Sequence, residues 1–261
     1  MTQNADPGPG LAAAKGGLVL AGAGGGLAVA AALAVAHAGP GLTALRPVRA
    51  AAFPRLAGQG RPGHVAVTFD DGPDPAWTPR FLDLLAARST RATFFLLGSM
   101  TERAPGLAAR IAAAGHEIGV HGYDHRSLVL RGPRATLADL RRAADVIAAA
   151  TGTAPRLYRP PYGVLSGAGL AAARRTGLTP VLWTSWGREW VPGSTPESVF
   201  ATLRTTVQGG ATVLLHDSDC TSPAGSARAA LGATGLLLDE CAQQGLAVGP
   251  LAEHGLHPPA G

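Results

Sequence analysis

The sequence predicts an α/β fold in which parallel strands alternate with helices, as a sheet that is either closed into a barrel or open. Two observations predict it. Short apolar runs typical of buried strands recur from His64 to Leu251, and segments with helical periodicity separate them. Polar residues with catalytic potential stand where several of those runs end. Strand and helix alternation favours parallel strands, because each helix returns the chain to the same end of the sheet.

The first element is an apolar stretch without formal charge, residues 16–38, which follows Lys15. It is typical of the core of an export signal, and Ala36 and Ala38 bracket a candidate cleavage site. Its length also suits an uncleaved membrane-spanning helix, which we slightly favour, although Gly24 to Gly26 weaken a helix and the arginines beyond it oppose the charge rule for an exported domain. We therefore expect residues 1–38 to be a signal peptide or membrane anchor, and the protein to be extracytoplasmic, anchored or secreted.

Residues 39–62 contain four prolines and no clean period, so we expect a linker. One folded domain is expected over residues 63–254, with a tail at 255–261. The net charge of +5 is scattered along the chain, which excludes the clustered basic surface that nucleic-acid binding requires. Cys220 and Cys241, the only cysteines, allow one disulfide or two free thiols equally. Neither composition nor pattern indicates an oligomeric state.

Seven strand-like runs follow one another in the predicted domain, at residues 64–70, 92–98, 117–121, 156–160, 180–186, 211–217 and 246–251. Two clear helical patterns lie among them, at residues 77–88 and 136–152. The second is expected to begin at Thr136, with Asp139 three residues on as in a capping box, and its apolar positions share one face.

The polar residues at the strand ends are the candidate functional residues. They are Asp70 and Asp71 after the first strand, His121 after the third, Arg159 after the fourth, Trp186 after the fifth and His216 after the sixth. The carboxyl ends of parallel strands share one edge, where active sites of such folds are built. We therefore expect these residues to meet.

Asp71, His121 and His125 supply one carboxylate and two imidazoles, which could hold a divalent cation and leave positions open for water. Two histidines at this spacing alone are more often a polar helix face, but the acidic pair at the strand end changes that balance. Asp70 could then accept a proton from the bound water. The alternative for the acidic pair is a simple turn, since Asp, Gly and Pro are ordinary turn residues.

Two further residues complete the candidate site. Arg159, in "RPPYG", could pair with Asp70 and keep it charged, or be a surface loop residue. His216 ends a very apolar strand, where a protonated imidazole could deliver a proton to a leaving group. A core histidine bonded to backbone is the alternative.

The ordered motifs "TFDDGP", "HGYDH", "RPPYG" and "LLH" resemble the polysaccharide deacetylases with a NodB homology domain, carbohydrate esterase family four, over residues 64–251. The resemblance implies a distorted (β/α)7 barrel, preceded here by the hydrophobic segment, and metal-dependent removal of N-acetyl groups from amino-sugar polymers. The substrate could be peptidoglycan, a chitin-type polymer or another cell-envelope glycan. The cofactor implied is a divalent metal, for which zinc is the expected ion.

Carried over by motif, the resemblance implies a role for each candidate. The metal ligands would be Asp71, His121 and His125, the general base Asp70, its partner Arg159, the general acid His216, and the oxyanion donor the backbone N–H of Tyr162.

The sequence departs from the family pattern at two motifs. Gly122 stands where a Ser or Thr usually braces the histidine loop. Trp186 and Glu189 stand at the two acidic positions of the fourth motif, so His216 must find Glu189, Asp217 or Asp219 as its partner or act with a lower pKa, and we expect a shifted acidic limb in the pH profile. Trp183, Trp186 and Trp190 could line a sugar groove or pack in the core, and for Trp183 we favour the core.

The sequence leaves two competing functions open. Two histidines and one carboxylate also describe the iron site of non-haem oxygenases, in which Asp70 and the RPPYG loop would have no obvious task. A non-catalytic sugar-binding protein of the same fold is the second alternative, since a fold does not imply its activity.

Overall fold

The structure, a computed structural model, describes residues 17–256. The strands are β1 His64–Asp70, β2 Thr93–Leu96, β3 Glu117–Val120, β4 Leu157–Tyr158, β5 Thr179–Pro180, β6 Ser185–Trp186, β7 Thr212–His216 and β8 Ala247–Gly249. The helices are α1 Gly17–Ala38, α2 Arg46–Ala52, α3 Thr78–Ala87, α4 Gly98–Arg103, α5 Pro105–Ala113, α6 Pro133–Thr151, α7 Gly167–Arg175, α8 Pro196–Arg204 and α9 Ser226–Gln243. Short 3-10 turns lie at Gly39–Ala44, Leu128–Leu130, Pro161–Gly163 and Leu251–Glu253.

The strands form one curled parallel sheet in the order β5-β4-β3-β2-β1-β7-β6, with β8 paired to the start of β1. Every residue of β1 is buried, which fits its consecutive apolar residues Val65, Ala66 and Val67. Phe69 packs against Phe81 of α3 and Phe94 of β2, with ring centroids 4.9 and 5.1 Å apart. The predicted α/β class with parallel strands is confirmed.

The run at residues 180–186, predicted as one strand, changes partner along its length. Its start, β5, pairs with β4, and its end, β6, pairs with β7. The Val181 N–H still donates to Tyr158 O of β4 and the Thr184 N–H to Thr212 O of β7, so the ladder is interrupted between them, at Leu182 and Trp183. The Leu182 N–H donates instead to the Leu56 carbonyl at 2.7 Å. At this point the barrel wall is continued by the polypeptide chain itself and not by hydrogen bonds between neighbouring strands.

Helix α6 begins one turn earlier than the sequence suggested, because Pro133 takes the first helical position after an extended Gly132. Thr136 therefore lies inside the helix, where its hydroxyl donates to the Gly132 carbonyl at 3.1 Å. Asp139 therefore does not cap the helix, and its carboxylate accepts a hydrogen bond from the histidine loop of the candidate site.

Residues 39–62, predicted as a linker, contain the turn Gly39–Ala44 and helix α2, and lie against the barrel. Thr43, Arg49 and Ala57 are buried there, and the Gly60 N–H donates to the Gly210 carbonyl at 3.0 Å. The expected domain limits remain predictions, and the first 16 residues of the predicted signal or anchor lie outside the described residues. His37, at the end of α1, bonds through Nε2 to the Val129 carbonyl at 2.8 Å.

In the part of the chain that the structure describes, no single helix has the length and apolarity to cross a membrane. One pair of segments, Ala28–Ala44 and Arg46–Ala52, bent by 97° between them, would meet that requirement by length and composition.

The two cysteines, for which the sequence left both states open, are free thiols in the structure. Cys220 is exposed in the loop after β7, and Cys241 is buried in α9.

Candidate active site

The carboxyl ends of β1, β3, β4 and β7 bring the predicted site residues to one edge of the barrel. Asp70 is directly opposite His216 in the β1–β7 register, and Val120, just before His121, is opposite Tyr158, just before Arg159. A cavity of about 370 Å³ opens at this edge. It is lined by Asp70, His121, His125, Tyr162, Gly163, Trp183, Trp186, Trp190, Leu214, His216, Thr221, Ser222 and Pro223.

Asp71, His121 and His125 form a compact group whose potential ligand atoms lie within 4.8 Å of one another. Asp71 Oδ1 is 3.4 Å from His121 Nε2 and 3.5 Å from His125 Nε2. This oxygen is buried and has no hydrogen-bond partner, which is costly for a carboxylate unless a cation faces it. A divalent metal therefore fits this group.

The second oxygen of Asp71 has a protein partner. Thr221 Oγ1, in the loop after β7, donates a short hydrogen bond to Asp71 Oδ2. Burial alone would raise the pKa of the Asp71 carboxyl, but the surrounding imidazoles, His216 first, and this hydrogen bond lower the pKa overall. Asp71 has a left-handed φ of 77°, which turns its side chain away from the direction of the preceding Asp70.

Both imidazoles present Nε2 to Asp71. His121 Nδ1 lies 2.8 Å from the Arg159 carbonyl, to which it can only donate, and this leaves the Nε2 lone pair directed at Asp71. Burial lowers the pKa of His125 to about 4, so its ring is uncharged at neutral pH.

Asp70 has a different environment from its neighbour. Arg159, fully buried, donates from Nη1 to Asp70 Oδ1 at 2.8 Å and to Thr68 Oγ1 at 2.6 Å. Asp70 Oδ2 is 3.7 Å from His121 Nε2, at the edge of the candidate metal group. The two adjacent acids thus differ in their surroundings: one faces the imidazoles, and the other is held by a guanidinium with one oxygen still available.

His216 has Glu189 as its partner, one of the three acids that the sequence left open. Its Nδ1 is 2.7 Å from Glu189 Oε1, and Glu189 is buried. Burial alone would lower the pKa of His216, but the hydrogen bond and charge of Glu189 raise it to about 9, with help from Asp71 and Asp70. The imidazole is therefore protonated at neutral pH.

The other two acids are engaged elsewhere. Asp217 accepts from Thr78 at 2.5 Å, and burial raises its pKa to about 7. Asp219 accepts from Trp77 Nε1 at 3.1 Å and from backbone N–H groups at the start of α9.

The histidine loop is braced despite the glycine in its motif. Gly122 has a φ of 90°, a conformation that favours glycine, and the next N–H, of Tyr123, donates to Asp139 Oδ2 at 3.1 Å. Asp139 Oδ1 also pairs with Arg131. An acid on α6 therefore replaces the hydroxyl that the motif lacks. Sequence reasoning missed Asp139, because its spacing from Thr136 suggested a cap and no local signal linked it to residue 123.

Tyr162 lies in the turn Pro161–Gly163 with a left-handed φ of 59°, which fixes the direction of its peptide group at the cavity. Its ring is exposed and meets His125 edge to face at 4.6 Å. Trp183 packs against the next residue, since a Cβ on Gly163 would lie 2.5 Å from Trp183 Cη2.

A line of aromatic rings forms the other wall of the cavity. Trp183 to Trp186, Trp186 to Trp190 and Trp190 to His216 have ring centroids 5.8, 5.9 and 5.5 Å apart. Trp183 is only 6% exposed, as expected for a core residue, whereas Trp186 is 39% exposed at the rim. Trp186 thus adds apolar surface where the family pattern has a charge.

The barrel and its rim define a class: an α/β-barrel protein whose strand ends hold a candidate metal group beside a buried carboxylate–arginine pair. Comparison with known proteins supports a specific assignment. The family model described as polysaccharide deacetylase matches residues 57–181. A chitooligosaccharide deacetylase of Bradyrhizobium sp. (strain ANU 289) is 36% identical over 172 residues, covering 65% of this chain and 76% of the relative. The chain belongs to the polysaccharide deacetylase family.

Solved structures agree with this assignment. The Bc1960 peptidoglycan N-acetylglucosamine deacetylase superposes with a TM-score of 0.70 and 28% identity, over 76% of this chain and 92% of that one. A pseudoenzyme of carbohydrate esterase family four from Bacillus anthracis, BA3943, gives a TM-score of 0.67 at 24% identity, covering 75% and 66% of the two chains. The latter likeness shows the fold alone.

Proposed function

We propose that this protein is a metal-dependent hydrolase that removes N-acetyl groups from amino-sugar polymers. The observation that carries the proposal is the unpartnered, buried Asp71 Oδ1 facing two imidazole nitrogens, beside an Asp70 that Arg159 holds. Zinc is the proposed ion, since two imidazoles and one carboxylate with open positions suit a catalytic zinc site. The relatives' names support an acetylated glycan as substrate, either peptidoglycan or a chitin-type polymer.

When bound, the cation would lower the pKa of a water molecule and polarise the acetamide carbonyl. Asp70 would accept a proton from the attacking water through Oδ2, because Arg159 occupies Oδ1. The backbone N–H of Tyr162 would donate to the oxygen on which negative charge develops. His216, held protonated by Glu189, would give its proton to the amine as the carbon–nitrogen bond breaks, and acetate and a free amino sugar are the products.

The alternatives are less well supported by the geometry. A non-haem iron site would leave the Asp70–Arg159 and His216–Glu189 pairs without a task, although both are buried and tightly bonded. A sugar-binding protein that lost catalysis through its fourth motif is the second candidate. The pairing of Glu189 with His216 supplies the carboxylate that Trp186 cannot, which favours an active enzyme.

Mass spectrometry of N-acetylated chito-oligosaccharides and of peptidoglycan fragments tests the proposal. The zinc-loaded protein, without oxygen, should produce species that have lost an acetyl group together with free acetate, and a chelator should stop both. Sugar binding without acetate release would support the non-catalytic alternative, and a strict oxygen requirement would support iron chemistry. Which of the two substrates reacts would identify the glycan.

The cellular location follows from the same proposal. Peptidoglycan and related glycans lie outside the cytoplasm, so we place the protein there, tethered through residues 16–38 or secreted. The molecular mass of the mature protein and its distribution between membrane and soluble fractions would distinguish the tethered form from the secreted one.

Thr221→Val should weaken metal binding about tenfold, because outer hydrogen bonds orient the ligands of a metal. Thr221 donates to the Asp71 oxygen that faces away from the imidazoles, so without it the carboxylate is free to rotate. Competition with a zinc indicator would measure the affinity directly. Thr221→Ser should restore it, and Ser222→Ala, the next hydroxyl in the same loop, should leave it unchanged. Equal affinity of Thr221→Val and wild type would show that Asp71 needs no such support.

A further inference from the structure

We propose that Arg49, in the N-terminal segment before the family-matched region, is a positioning residue of the active site that fixes Trp183 and, through it, the Tyr162–Gly163 turn. The inference rests on the proposed function for its catalytic consequence. Its structural part stands independently on contacts within the chain.

The first step concerns the backbone carbonyls of residues 181–183, where the chain crosses from β4 to β7. Because the strand changes partner there, consecutive carbonyls leave the ladder and need other donors. Arg159 supplies the first two, from Nε to Val181 O at 3.4 Å and from Nη2 to Leu182 O at 3.0 Å.

Arg49 supplies the donors for the next carbonyl, that of Trp183. Its Nε and Nη2 both donate to Trp183 O, at 3.2 and 3.0 Å, in a two-pronged contact that fixes orientation as well as distance. Its Nη1 donates to Ala44 O at 2.8 Å, which ties the guanidinium to its own segment. Arg49 is 3% exposed, and burial, followed by the charges of Arg46 and Arg159, lowers its pKa to about 10. It therefore remains charged at neutral pH.

The second step leads from Trp183 to the cavity. The Arg49 Cζ lies 5.2 Å from the centre of the Trp183 ring, and the Arg159 Cζ lies 5.8 Å from it. The far edge of the same indole occupies the place where a side chain of Gly163 would stand. Trp183 therefore fills the space between two buried arginines and the turn that carries the proposed oxyanion donor, Tyr162.

The position of Arg49 in the chain makes this contact specific to the N-terminal segment. The match to the family model begins at residue 57, so Arg49 lies outside it. Leu56 O accepts from Leu182 N, so residues 49 and 56 both bond to the backbone of the crossing segment. We infer that this segment completes the barrel wall behind the active site.

The catalytic consequence is a loss of turnover with little change in substrate affinity. A hydrogen bond to the oxyanion is made fully only in the transition state, so a displaced donor lowers kcat more than it raises KM. We expect Arg49→Ala to lower kcat about tenfold, the smaller effect typical of an outer supporting residue, with zinc affinity unchanged.

The test compares Arg49→Ala, Arg49→Gln and Arg49→Lys with Arg46→Ala in the full zinc-loaded chain. Arg46 is exposed on the same helix, so its removal deletes the same charge without touching Trp183. Acetate release from a chito-oligosaccharide gives kcat and KM, and Arg49→Lys, which keeps one cationic donor, should fall between wild type and Arg49→Ala. If Arg49→Ala does not fold, Arg49→Gln and Arg49→Lys carry the comparison.

A readout that needs no activity accompanies the kinetics. In protein labelled with 5-fluorotryptophan, the ¹⁹F signal of Trp183, assigned by its absence in Trp183→Phe, should shift or broaden in Arg49→Gln and stay in place in Arg46→Ala. An unmoved Trp183 signal, or an unchanged kcat with only a lower melting temperature, would overturn the proposal. Absence of acetate release from wild type would reject the proposed function instead, while the ¹⁹F comparison would still decide the structural claim.

Discussion

Asp70→Asn is expected to lower kcat by about 10²- to 10⁴-fold, the range of rate enhancement that a positioned general base supplies. An asparagine keeps the shape of the side chain and its contact with Arg159, but it cannot accept the proton of the attacking water. The group of Asp71 and two imidazoles is left intact, so zinc should still bind.

The matched control is Asp124→Asn, which removes a carboxylate from the histidine motif itself. Asp124 is exposed and pairs only loosely with Arg126, at 3.9 Å. Its loss should leave turnover unchanged. If Asp70→Asn instead loses zinc and regains turnover with excess metal, Asp70 is a ligand and not the base.

Glu189→Gln is expected to move the alkaline limb of the pH–rate profile to lower pH by about one unit or more, because an opposite charge at hydrogen-bond distance raises an imidazole pKa by that order. His216 must carry its proton to act as the acid. Its pKa, raised to about 9 by Glu189, keeps it protonated at neutral pH, and turnover is lost as the pH rises through that value. The limb that shifts is thus the alkaline one, and not the acidic one expected from the sequence.

The size of this effect depends on pH. Above the shifted limb, kcat should fall by about 10- to 100-fold, and the difference from wild type should shrink as the pH is lowered, since bulk protons then compensate for the missing charge of Glu189. Any bound cation acts on both proteins, so the comparison isolates Glu189. Glu197→Gln, the same change at an exposed position of α8, is the control. A limb that does not move would show that His216 is not the acid or that Glu189 does not control it.

Much of the site could be predicted because its residues follow buried strands. Apolar runs locate β1, β3, β4 and β7, and parallel pairing then requires Asp70, His121, Arg159 and His216 to share one edge. No knowledge of loop structure was needed for that step. Strand position selects these four residues, whereas His125 and Tyr162 lie outside the strands and were predicted from their motifs.

The supporting residues could not be predicted because their contacts cross the chain. Glu189 was one of three possible partners of His216, and only the path of the loop after β6 decides among them. Asp139 reaches Tyr123 from a helix that begins earlier than its pattern suggests. Arg49 lies in a proline-containing segment with no periodicity, and its target is a carbonyl, which leaves no trace in the sequence.

The same limit explains the split strand. Residues 180–186 have a uniformly strand-like composition, so the sequence cannot reveal that they exchange one neighbour for another. That exchange depends on the curvature of the whole sheet.

The two tasks of Arg159 complicate its use as an experimental probe. Its Nη1 donates to Asp70, and its Nε and Nη2 donate to the carbonyls of Val181 and Leu182, which lack a strand partner. Arg159→Ala would therefore remove the residue that orients Asp70 and also leave two backbone carbonyls of the barrel wall without donors. A rate measured on this variant would combine both effects. Inactivity of Arg159→Ala would not identify the catalytic role of Arg159, and substitution of Asp70 is the more specific test of the base.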